Sequence, residues 1–139
     1  MTDLAKLDTH AAADEGAWMD LDGPDGAPLF DDSEPPRRMR IKLLGEDSKV
    51  FQERKSRATN KRLRNIAKRG KKGIKTAEEL DEAALELVSA CTVEWYLIFD
   101  GEEVPCNLEK QRWFYETYPW AIEQADEFIG SRSEYLGNS

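Results

Sequence analysis

The chain has 139 residues, of which 40% are hydrophobic and 35% charged, and its formal net charge is −8. That length suits one domain with a modest core, and no apolar run approaches the ~18 residues that a membrane span needs. Two cysteines, Cys91 and Cys106, and a single histidine, His10, argue against a disulfide framework or a zinc site.

The net charge conceals three blocks. Residues 1–36 carry ten acids against Lys6, residues 37–75 sixteen Lys/Arg against three acids, and residues 76–139 fifteen acids against three basic residues. Fields of that size steer partners. They can also neutralise one another within the fold or between copies, so self-association is compatible with them.

In chain order, residues 1–15 show no useful period and read as a disordered acidic leader. They hold no apolar signal core, which argues against secretion. Trp18–Asp22 reads as a short strand, followed by a Gly/Pro/Asp turn and a second strand near Leu29. Pro35 and Pro36 exclude helix from "DDSEPP". Met39, Ile41 and Leu43 then alternate with Arg38, Arg40 and Lys42, the period of a half-buried strand, which Gly45 closes.

Asp47 or Ser48 can cap a helix that runs to about Arg69 with a thin apolar stripe, and a basic linker spans 70–75. Thr76–Glu79 is a capping box. The helix it opens aligns Leu80, Ala84, Leu87, Val88, Cys91 and Trp95 on one face, as a core helix does. "YLIFDGEEVPC" reads either as strand–turn–strand through Asp100–Gly101 or as a helix end and turn. Asn107 caps a helix of about ten residues, and Pro119 fits the first turn of a last helix that aligns Ala121, Ala125, Phe128, Arg132 and Leu136. Trp120, Phe128 and Leu136 read as core.

The expected fold is therefore α+β, mainly helical, with a small N-terminal antiparallel sheet packed on about four helices. One domain spans 16–136, β-rich over 16–45 and helical over 47–136, and residues 137–139 form a short tail.

The sequence holds no nucleophile elbow, Cys/His pair, P-loop or dinucleotide fingerprint. Its adjacent carboxylates read as solvated faces, so the chain reads as a non-enzyme without cofactor or metal. Residues 54–75 could neutralise phosphates, but they carry no interleaved aromatics for stacking bases. A basic face that docks an acidic protein accounts better for the charge blocks. Both cysteines read as unreactive.

The C-terminal half adds a pattern. An Ala/Leu helix, a "DGEEVP" turn, "NLEKQRWFYETYP" and "WAIEQADEFIGSRSEYL" follow one another. In this order they resemble the tail assembly chaperones of long-tailed bacteriophages, whose chains close on a similar motif. The matching residues are Pro119, Trp120, Glu123, Gln124, Asp126, Phe128, Ile129, Arg132 and Tyr135. The resemblance spans roughly residues 16–136. It implies a non-catalytic chaperone that binds the tape measure protein, and potentially tail tube subunits, in the host cytoplasm and is absent from the mature virion. It also implies a longer frameshifted product, and Leu136–Gly137–Asn138 is compatible with a slippery heptamer at that point. Candidate partner contacts are Trp18, Arg38, Arg40, Lys61, Arg62, Arg64, Lys68 and Arg69. The alternatives are a nucleic-acid-binding phage protein that uses 54–75, or a structural tail or head–tail component.

Overall fold

A computed structural model describes residues 4–55 and 77–136. The fold is α+β and mainly helical, built on a three-stranded antiparallel sheet: β1 (Ala17–Asp20), β2 (Arg40–Leu43) and β3 (Thr92–Tyr96), in that spatial order. Cross-strand rows follow from the register. Met19–Ile41–Trp95 and Ala17–Leu43–Thr92 form the buried face, while Trp18–Lys42–Glu94 and Asp20–Arg40–Tyr96 form the open one. The alternation expected over Met39–Leu43 is the reason: a period of two puts every second side chain on the core side.

A helical layer covers the buried face. It comprises α3 (Ala77–Cys91), α4 (Leu108–Thr117) and α5 (Pro119–Ile129), with α3 packed on the other two and α5 reaching β2. Ser48 caps α2, described over 49–55: the Phe51 N–H donates to Ser48 Oγ at 3.1 Å. The Lys110 N–H donates to Asn107 Oδ1 at 2.9 Å, as expected for the α4 cap. Pro119 opens α5, and it also disfavours helical backbone at Tyr118, so α4 stops there. The capping box at Thr76 and most of the basic stretch, residues 56–75, lie outside the described residues.

Three expectations need correction. The sheet is not confined to the N-terminal segment, because Trp95 lies in β3 rather than on the α3 stripe. Thr92, Val93 and Tyr96 favour a pleated strand, and the chain passes from α3 to β3 without a loop. Thr92 Oγ1 donates to the Val88 carbonyl at 2.7 Å and the Leu44 N–H to the Cys91 carbonyl at 2.8 Å, so the open helix end is satisfied by the sheet.

The second correction concerns α5, whose buried face is Ala121, Ala125 and Ile129. Small alanines let the helix approach its neighbours closely, and Trp120 and Phe128 are only half-buried at its flanks. Arg132 and Leu136 are not on this helix. It ends at Ile129, and a separate 3-10 turn, Arg132–Tyr135, follows.

The third concerns the acidic leader. Residues Leu4–Leu7 form a 3-10 turn and α1 spans His10–Glu15. Ala13 is 1% exposed, its carbonyl accepts the Gly45 N–H at 3.0 Å, and Asp14 Oδ1 accepts the Lys49 N–H at 2.8 Å. A buried alanine and long-range hydrogen bonds at Thr9, Ala13 and Asp14 hold a segment whose sequence period is too short to read.

Asp47 gathers this corner. Arg132 donates to it from Nε at 2.8 Å and Nη2 at 3.0 Å, and Thr9 Oγ1 donates as well. The Arg132 fork and the Thr9 hydroxyl lower the Asp47 pKa to about 2. An unfolded aspartate titrates near ~3.9, so the stabilisation is complete above that value and is lost as pH falls toward about 2. Urea unfolding midpoints of the wild type and Asp47→Asn should therefore differ by a constant amount at neutral pH. The difference should shrink below about pH 4. A gap that persists undiminished at pH 2 would remove Asp47 from the acid response.

Candidate partner-binding groove

An apolar groove of about 210 Å³ opens where three segments meet. Leu21, Leu29 and Met39 come from the lobe between β1 and β2, which isolated bridges Asp22↔Pro28 and Phe30↔Arg38 hold in shape. Leu97, Ile98, Phe99 and Val104 come from the hairpin of β4 (Ile98–Phe99) and β5 (Glu102–Glu103). Trp113, Phe114, Tyr118 and Trp120 come from the α4–α5 corner.

The corner explains the aromatic density. Tyr118 has its ring centroid 6.2 Å from Trp113, 5.5 Å from Phe114 and 5.6 Å from Trp120. Phe99 meets Trp113 edge-on at 5.0 Å, yet stays 44% exposed. The hairpin turns on Asp100 and Gly101, with φ of 50° and 79°, the left-handed pair that a two-residue turn requires. This decides for strand–turn–strand. Beneath the groove, Trp95 Nε1 donates to the Val104 carbonyl at 2.9 Å, and its ring stacks edge-on with Phe114 at 5.3 Å.

The lobe is tied to α5 by Gln124, which accepts from the Asp22 N–H at 3.0 Å and donates to the Asp22 carbonyl at 2.8 Å. Asp31 ties the same lobe to β3. The Ser33 hydroxyl, the Tyr96 hydroxyl and the Arg37 N–H all donate to it, and hold its carboxyl well below the usual carboxylate range.

The candidate residues separate accordingly. Trp18 and Arg40 are brought together on the open sheet face, with the guanidinium 4.1 Å from the indole centroid. Arg38 is half-buried and engaged within the fold: it pairs with Asp22 and donates to the Leu21 carbonyl at 3.3 Å. Lys61, Arg62, Arg64, Lys68 and Arg69 lie outside the described residues. Of the motif residues, Trp120 lines the groove, whereas Pro119 opens a helix, Phe128 packs on Tyr135 at 5.6 Å, and Arg132 holds Asp47. Asp126 lines a second, wider cleft of about 630 Å³ with Glu82, Glu116 and Glu123.

Phe99, Trp113 and Tyr118 are groove residues that sequence reasoning missed. The available signal was density: Trp113, Phe114, Tyr115, Tyr118 and Trp120 are too many aromatics for the core face of one short helix.

Burial disfavours the thiolate at both cysteines: it pushes Cys91 up to about 12 and raises Cys106 as well. Among the described residues no group of three or more His, Cys, Asp or Glu could hold a metal ion, and no helix is long and apolar enough to cross a membrane. Compared with known proteins, the chain matches no family model, no curated protein and no solved structure.

Proposed function

We propose that the chain is a non-catalytic assembly chaperone of long-tailed bacteriophages that holds the tape measure protein through the aromatic groove while the tail is built. The observation that carries this reading is the groove: an apolar, aromatic-walled opening on an otherwise highly charged molecule. It joins the sequence resemblance at Trp120, which belongs both to the motif and to the wall.

The physical need is direct. A long helix-rich protein exposes apolar stripes until tube subunits cover them, and exposed stripes aggregate. A partner that offers a limited apolar groove shields them, and its net charge keeps the complex dispersed. Such a chaperone acts in the host cytoplasm and leaves before the virion is complete.

Co-expression with the tape measure protein of the same phage tests the reading. Wild-type chain should raise the soluble fraction of the tape measure protein several-fold and co-purify with it. Phe99→Ser combined with Trp120→Ala should lose that effect while circular dichroism still reports a folded chain. Unchanged solubility with the wild type refutes the proposal, and recovery of the chain from purified virions would make it a structural component instead.

A further inference from the structure

We infer that the groove seats an amphipathic helix whose apolar anchors are flanked by Lys and Arg, and that the β4–β5 hairpin selects for those flanks. The inference rests on the chaperone reading and specifies the segment that would be held.

Size comes first. Small-molecule sites enclose ~300–1,000 Å³, and the groove holds about 210 Å³. That is room for one or two side chains rather than a metabolite. The walls are apolar, so the side chains that fill it are aliphatic or aromatic. A helix presents such anchors one turn apart from a single face, the usual way an amphipathic helix occupies a groove.

Charge then narrows the partner. Between Ile98 and Val104 the hairpin carries Asp100, Glu102 and Glu103 and no basic residue. Glu103 and Glu102 are the cross-strand partners of Ile98 and Phe99, two of the lining residues, and both glutamates are exposed. Glu109 adds a carboxylate one helical turn before Trp113. On the other side of the balance, the Lys110 ammonium lies 5.6 Å from the Trp113 centroid, and Arg38 is neutralised by Asp22. The hairpin that forms one wall of the apolar slot is therefore negative. Rim charges of one sign repel like-charged partners and speed encounter with opposite ones. The two-residue turn fixes the backbone of the hairpin that carries Asp100, Glu102 and Glu103.

Two synthetic helical peptides with the same Leu/Ile stripe, one flanked by Lys and one by Glu, make the test. Each carries a fluorophore and is titrated with the full chain at low and high salt. The Lys-flanked peptide should bind about tenfold more tightly, with the advantage shrinking as salt rises. Glu102→Lys with Glu103→Lys should abolish or invert the preference, and Trp120→Ala should weaken both peptides.

Equal affinity for both peptides overturns the charge selection and leaves the groove intact as a site. If neither peptide binds while the tape measure protein is still solubilised, the groove is not the dock: the inference fails together with the groove's part in the proposed function, and the chaperone role alone stands. If neither binds and nothing is solubilised, the chaperone reading fails with it. A chain that light scattering shows to be a dimer, and that Trp120→Ala converts to a monomer, would put a second copy in the groove and also overturn the inference.

Discussion

The Gly45→Val substitution is expected to lower the unfolding free energy by about 3 kcal/mol and the thermal midpoint by roughly 10 °C. A Cβ at this position would lie 2.9 Å from the Ala13 Cβ and 3.2 Å from two carbons of the Tyr135 ring. The backbone there lies outside the left-handed region, so the cost is steric rather than torsional. Nor can the neighbours retreat cheaply. Ala13 belongs to α1, whose end is bonded to the β2–α2 loop, and the Tyr135 hydroxyl donates to the Leu43 carbonyl at 3.1 Å. Three chain segments far apart in sequence thus close on one missing side chain. A double-mutant cycle of Gly45→Ala with Ala13→Gly should show a favourable coupling of about 0.5 kcal/mol or more. Only part of the loss should return, because the Tyr135 contact remains. If Gly45→Val leaves urea and thermal midpoints unchanged, α1 does not pack against the β2–α2 loop in the cooperative unit.

This junction also shows where sequence reading ends. Gly45 is legible as a strand terminator, since it follows an alternation of apolar and basic residues. Its closeness to Ala13 is not, because nothing local couples "HAAADE" to a glycine some thirty residues later. β2, the Asn107 cap and Pro119 are legible for the opposite reason: each is set by side chains within a few residues. β3 fails in an instructive way. Cys91 and Trp95 are four apart, a helical interval, yet Thr92 pairs opposite Leu43 and Trp95 opposite Ile41. Pairing with β2 supplies the backbone partners, and the β-branched and aromatic residues fit the pleat, so tertiary contact overrides the helical spacing. The groove was out of reach for a related reason. Its walls are drawn from 21–39, 97–104 and 113–120, and only Trp120 carried a motif that pointed to it. Arg38 illustrates the converse: its place in an alternating run is legible, but its pairing with Asp22, sixteen residues earlier, is not.

Trp95→Ala is expected to be costlier still, about 4 kcal/mol, from the loss of a large buried ring and the cavity it leaves. Trp95 is 5% exposed, stands between Ile41 of the sheet and Phe114 of α4, and donates from Nε1 to the Val104 carbonyl. Since Val104 and Phe114 both line the groove, the substitution removes the floor as well as part of the core. Trp95→Phe separates the two effects. It keeps most of the ring contact but leaves the Val104 carbonyl without its donor, at a cost of about 1–2 kcal/mol. The hairpin wall should loosen more than the fold does, so amide exchange should rise over 97–104 before it rises in β2. Trp120→Ala supplies the contrast, because Trp120 lines the groove without anchoring the hairpin. It should weaken partner binding with little change in exchange over 97–104. If Trp95→Phe and Trp120→Ala reduced binding alike while exchange over 97–104 stayed at the wild-type rate in both, the Trp95–Val104 hydrogen bond would not be what sets the groove wall. The hairpin position would then have to come from the Phe99–Trp113 contact instead.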